Sequence, residues 1–235
     1  MKNWNHLSDE ELLLVKVRDL DLDIERTPLV SYIEQLRSEL RRRGLSFNPN
    51  IWLGDEWCNP EGSTGVVVPF TLAHPRLIRL ERQYVGFAEG TTENSFMRLL
   101  RHEVGHAIES AYNIVRHPLR EMVFGNTDRP YPKSYRPDKQ SRDFVRHLPN
   151  YYAQAHPDED FAETFAVWVT EKKHWRELYR NWGALDKLKV MDLLMRDACD
   201  LTPIQGSRIE KYHYKNLNMS CLNIINGGTT TIIHI

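Results

Sequence analysis

Apolar positions recur at intervals of three and four along most of this chain. Between residues 50 and 85 the pattern breaks into shorter runs rich in β-branched and aromatic residues. Ser8 followed by Glu11 is a capping box, which opens a short helix reaching about Leu20. Thr27-Pro28 reads as a helix N-cap and first helical position. Val30, Ile33, Leu36 and Leu40 then form a stripe that Gly44 stops. The segments NIWLGDEW, GVVVPF and RLIRLERQYV, set off by Gly, Pro and Asn, predict three strands. In the last, Leu77, Arg79 and Glu81 fall on one face, with Ile78 and Leu80 on the other. Thr91-Thr92-Glu93 opens the next helix, expected to run to about Val115. Its stripe is Phe96, Leu100, Val104, Ala107 and Ala111. Residues 116–150 show no period and hold the Pro- and Tyr-rich run RPYPKSYRPDKQSRDF. A loop of that length inside a compact domain predicts an ordered cover over a cleft. Helical spacing returns with Phe161, Phe165 and Trp168, and again over Ala184 to Ala198. The last residues alternate around an Asn-Gly-Gly turn, which suits a terminal hairpin or a poorly ordered tail.

This pattern predicts an α+β fold in one domain over 1–214. N-terminal helices span 8–44, a sheet region 50–90, a long helix 92–115, a cleft loop 116–150, and helices 151–200. A tail of uncertain order spans 215–235. The formal net charge is −1 over 235 residues, so no nucleic-acid partner is expected. No apolar run approaches the length of a membrane span, and the N-terminus lacks the pattern of a signal peptide. Cys58, Cys199 and Cys221 are far apart and odd in number. They form neither a disulfide framework nor a CxxC pair, and a cytoplasmic location is expected.

Chemistry enters on the long helix. HEVGH places His102 and His106 four residues apart, on one helix face, where two imidazoles can share a metal ion. Glu103 stands beside them within reach of a water. Catalytic zinc takes three protein ligands and keeps one position open, so a third ligand must come from elsewhere. The run DEDFAE offers Asp158, Glu159, Asp160 and Glu163, of which Glu159 and Glu163 share a face. That pairing suggests a division of labour. Glu159 is the candidate zinc ligand, and Glu163, one turn on, the candidate acceptor for the outer N–H of His102. The reaction also needs a donor for a developing oxyanion. Tyr151 and Tyr152 are both placed for it, and spacing does not choose between them. His147 and His156 lie near, and either one closing the fourth position would make the zinc structural. The basic run Arg41–Arg43 complements a helix C-terminus, His74 and His117 are loop histidines without a partner at metal spacing, and the basic residues of 129–142 read as a solvated loop.

HEVGH followed by YYAQAHPDEDFAETFAVW closely resembles the bacterial zinc-binding metallopeptidase family of Mx type. The likeness spans about Leu20 to Ala198, including DEW at 55–57, AHPRLIRLER at 73–82 and RPYPKSYRP at 129–137. It also looks like the gluzincin protease domain of anthrax lethal factor, whose pattern is HExxH, a tyrosine, a glutamate ligand seven residues later, and a supporting glutamate four after that. Tyr152, Glu159 and Glu163 reproduce those offsets. The resemblance therefore implies Glu159 as ligand and selects Tyr152 over Tyr151. It implies a zincin architecture, with a small twisted sheet over the HExxH helix and a helical C-terminal part. It also implies one Zn2+ per chain, Glu103 as general base, and a peptide or protein as substrate. Two rival functions stand beside this one: a non-proteolytic zinc module, and a zinc amidase acting on another amide.

Overall fold

The computed structural model describes Trp4 and residues 6–170, 174–206 and 209–227. Its elements in chain order are α1 (Asp9–Leu14), α2 (Leu29–Arg42), β1 (Asn50–Gly54), β2 (Gly65–Pro69), α3 (Pro75–Val85), α4 (Glu93–Ala111), α5 (Pro118–Phe124), α6 (Pro157–Thr170), α7 (His174–Leu178), α8 (Ala184–Cys199) and α9 (Cys221–Gly227), with short 3-10 turns between them. The fold is α+β, mostly helical, with a two-stranded parallel sheet. Among the described residues no helix is long and apolar enough to cross a membrane.

β1 and β2 pair in register, from Asn50 with Gly65 to Gly54 with Pro69. β2 is buried along its whole length, as its unbroken Val66-Val67-Val68 run requires. Its other edge carries a single antiparallel bridge, where Val67 N–H donates to the Cys58 carbonyl. The Asn59 side chain closes the intervening loop by donating to the carbonyls of Ser63 and Gly65.

RLIRLERQYV is a helix, not the predicted third strand. Its apolar positions fit a period of 3.6 as well as a period of 2, and the ends decide the matter. His74 is the N-cap and accepts the Arg76 N–H, Pro75 takes the first turn, and Gly86 ends the helix at a φ of 89°. Leu77 and Leu80, three apart, are the two buried positions. This segment therefore offers no strand edge on which a peptide could be added. The predicted helix from Ser8 to Leu20 is also shorter. Its capping box forms, but α1 ends at Leu14, and residues 17–20 make a separate 3-10 turn. The C-terminal residues up to 227 pack rather than trail. Cys221 N–H donates to the Val15 carbonyl, and Cys221, Ile224 and Ile225 of α9 are buried. Where a hairpin or a poorly ordered tail was expected, residues 221–227 form a helix, and 228–235 lie outside the described residues.

The centre of the molecule is the crossing of α4 and α6. α4 begins at a capping box in which the Thr92 side chain accepts the Ser95 N–H, and it ends at Ala111, short of the expected Val115, because Asn113 turns left-handed at a φ of 53°. α6 begins at His156, whose Nδ1 accepts the Asp158 N–H. Its first turn carries Asp158, Glu159 and Asp160, the sign that suits a helix N-terminus. The two helices touch at Gly105. A Cβ there would stand 2.8 Å from Ala162 Cα and 3.0 Å from the Ala162 carbonyl oxygen, so only glycine permits this approach. Phe96, Leu100, Val104, Ala107 and Ile108 of α4 and Phe161, Phe165 and Ala166 of α6 complete a dry core on either side.

Candidate metal centre

That close crossing brings three ligand atoms together. His102 Nε2 and His106 Nε2 are 3.3 Å apart, and Glu159 Oε2 lies 3.0 Å from the first and 3.4 Å from the second. Glu159 Oε2 is buried and makes no well-formed hydrogen bond, although two imidazole nitrogens surround it. Among the described residues, His102, His106 and Glu159 are the one group of three or more such side chains whose ligand atoms converge. Nitrogen and oxygen ligands at about 2.0–2.1 Å from a tetrahedral zinc stand about 3.3 Å apart, so this donor set fits that ion in both spacing and chemistry.

The field at the site has the sign a cation needs. Burial alone would lower the His102 pKa, but the carboxylates of Glu159 and Glu163 outweigh it and hold it well up. His106 is raised chiefly by Glu159, against its own burial. The same proximity holds Glu159 well below the usual carboxylate range, although burial pushes the other way.

The remaining predicted residues surround this group. Glu163 is fully buried. Its Oε1 lies 2.9 Å from His102 Nδ1, and its Oε2 accepts the Leu148 N–H at 2.7 Å. Glu103 is buried beside the histidines. Burial raises its pKa, and the two histidines pull it part of the way back. The Tyr152 ring lies 5.6 Å from the His102 ring. Its phenol is kept protonated first by burial and then by the charges of Glu159 and Glu103. The backbone turns sharply just before it, with both Asn150 (φ 59°) and Tyr151 (φ 58°) left-handed. Such a conformation costs about 1–3 kcal/mol per residue, and it separates the directions of the two tyrosines. The Tyr151 ring lies 5.2 Å from the Arg146 guanidinium carbon, whereas Tyr152 packs at the metal group.

Neither extra histidine joins the ligands. His147 Nε2 donates to the Arg98 carbonyl at 2.9 Å, and His156 Nε2 donates to the Arg129 carbonyl at 2.7 Å. Asp158 is turned away, accepting from Arg120 and from the Thr127 hydroxyl, and Asp160 pairs with Lys187. Arg120 is completely buried and also meets Glu109 of α4, so one guanidinium ties the two ligand helices together behind the site.

Two contributors escape a reading of the sequence. Tyr131, from the loop, donates its hydroxyl to Glu159 Oε1 at 2.9 Å. The Leu148 N–H acts through a main-chain atom, which no residue type announces. Only Tyr131 left a signal, as one of two tyrosines in the RPYPKSYRP run. A cavity of about 600 Å³ against β1, residues 21–26 and residues 213–215 includes none of these side chains.

No curated protein and no solved structure matches this chain, so the likeness to the anthrax gluzincin domain rests on sequence offsets alone. Residues 89–196, which carry both ligand helices and the loop joining them, match the model of a family described as "Putative zinc-binding metallo-peptidase".

Proposed function

We propose that this protein is a zinc-dependent metallopeptidase of gluzincin type that hydrolyses peptide bonds with water. The observation that carries the reading is the convergence of His102 Nε2, His106 Nε2 and Glu159 Oε2 on one point, with a buried carboxylate, Glu103, beside it. His102, His106 and Glu159 would hold the zinc, which when bound supplies Lewis-acid activation of a water and of the scissile carbonyl. Glu103 takes the proton of the attacking water and later delivers a proton to the departing amine. Burial raises its pKa, which favours its taking up that proton. Tyr152, kept protonated, donates its hydroxyl to the carbonyl oxygen as that oxygen gains charge. Glu163 accepts the Nδ1–H of His102 and so fixes the tautomer that leaves Nε2 able to ligate. A peptide or protein substrate in a reducing cytoplasm is part of this reading, supported by the wide sequence spacing of the three cysteines.

The test is metal analysis of the purified protein together with identification of the peptides it releases from a proteome digest. Wild type should hold about one zinc and cut. Glu103→Gln should hold the same zinc and lose cleavage by orders of magnitude, since only proton transfer is removed. Zinc in both proteins with cleavage in neither would make the centre a non-catalytic one. Loss of zinc in Glu103→Gln would make Glu103 a ligand.

A further inference from the structure

The loop between α4 and α6 is fastened to α6, which bears Glu159, and to the 3-10 turn Pro149–Gln154 before it at several separate places. Arg120 donates to the Gly125 carbonyl and to Asp158, and Thr127 donates to the same Asp158 oxygen. The Arg129 carbonyl accepts the Nε2–H of His156, which is buried and caps α6. Tyr131 then stacks on the His156 ring, with centroids 3.8 Å apart and planes 13° from parallel. Further on, Asp138 and Gln154 exchange two hydrogen bonds, and the Tyr135 hydroxyl donates to the Asn150 carbonyl. The outcome of the stacking is specific. It carries the Tyr131 hydroxyl to the one oxygen of Glu159 that does not face the histidines.

We infer that Tyr131 is a positioning residue for the metal ligand, holding Glu159 so that a single oxygen, Oε2, faces the two histidines. A carboxylate can bind a metal through one oxygen or through both. The Tyr131 O–H occupies a lone pair of Oε1 and fixes the rotation of the carboxylate about its last bond. One oxygen is thereby committed to the loop and the other to the ligand group. This matters because a second bond from Glu159 would take the position that water and substrate need. His156 has a matching role: it supplies the platform that aims Tyr131. The inference rests on the zinc reading above.

The test uses the full-length protein and zinc itself, with affinity measured by competition against a chromophoric chelator. It also uses the visible spectrum of the Co2+-substituted protein, which reports coordination number. Tyr131 is 56% exposed, so Tyr131→Phe removes one hydroxyl without opening the core, and metal-free thermal stability should stay near wild type. Zinc affinity should fall by about 10- to 100-fold, the usual effect of losing a partner of a ligand. The cobalt bands should weaken, as a second Glu159 oxygen or a water enters and the four-coordinate geometry is lost. His156→Asn keeps a good helix cap while removing the ring and the Nε2 donor. It should shift both readings in the same direction, and the double variant should lose less than the sum of the two. Wild-type affinity together with a wild-type cobalt spectrum in Tyr131→Phe would overturn the inference. If wild type binds zinc no better than His106→Ala, the zinc reading itself fails and takes this inference with it.

Discussion

Two regions build this site in opposite ways. The α4–α6 crossing supplies the three converging side chains, the proposed general base Glu103 and Glu163 from two buried helices, and its geometry follows from helical spacing and core packing. The loop over residues 125–148 supplies no ligand. It is polar and irregular, and it is held by separate hydrogen bonds to Asp158, Glu159, Glu163 and Gln154. On the proposed zinc reading, the place of the metal would be a property of the core, whereas the orientation of the groups that hold it would be shared with a surface segment. Substitutions in the two regions should therefore fail differently: the crossing through position, the loop through tuning.

The largest effect belongs to the ligands. His106→Ala or Glu159→Ala removes one of three bonds and should weaken zinc on the order of a thousandfold or more, measured by chelator competition. Retention of wild-type affinity in either variant would move the centre elsewhere.

Next comes the crossing itself. Gly105→Val drives a branched side chain into the backbone of Ala162, which has no rotamer with which to yield. The expected cost is about 3 kcal/mol in denaturant unfolding, with zinc affinity falling in parallel as Glu159 is pushed away. If stability and affinity both survived, the close approach would not be what aligns the ligands.

His147, where the loop rejoins the core, gives a pH-dependent comparison. Burial lowers its pKa to about 4 from its ordinary 6.5, against the raising influence of Glu163. The folded-state pKa is depressed, so the unfolded chain takes up the proton first as pH falls. Stability is fully present above about pH 6.5 and declines from there towards pH 4. The full shift is worth about 3 kcal/mol. His147→Gln can still donate to the Arg98 carbonyl, and it should flatten that part of the stability profile. An unchanged difference between pH 7 and pH 4 in this variant would show that His147 is not buried as a neutral ring.

The smallest of the four effects joins the two regions. Glu163 accepts from His102 of the core and from Leu148 of the loop. Glu163→Gln has one carbonyl oxygen for two donors and should weaken zinc by about 10- to 100-fold, well short of losing a ligand. A loss as deep as that of Glu159→Ala would mean that Glu163 itself binds the metal.

The same contrast explains what could be read in the sequence. α4 was legible because one period carries both its apolar stripe and the two histidines, and α6 because Phe161, Phe165 and the paired glutamates share its turns. α3 was misread because Leu77, Ile78 and Leu80 suit either period, while the signals that decide, His74-Pro75 and Gly86, lie at its ends. Of the loop's attachments only Tyr131 left a trace in the sequence. Most of these bonds have a main-chain atom at one end, such as the Arg129 and Asn150 carbonyls and the Leu148 N–H, and their pairing exists only once both helices are in place. Gly105 stood inside the motif as an unspecified position, yet its missing side chain lets Glu159 reach the histidines.

The most direct test of the central claim is a crystal structure of the zinc-loaded protein with anomalous data at the zinc edge. The account predicts one peak per chain, bonded at about 2.0–2.2 Å to His102 Nε2, His106 Nε2 and Glu159 Oε2, with its fourth position free of protein. A peak held by Glu163 in place of Glu159, or closed by His147 or His156 as a fourth ligand, would contradict it.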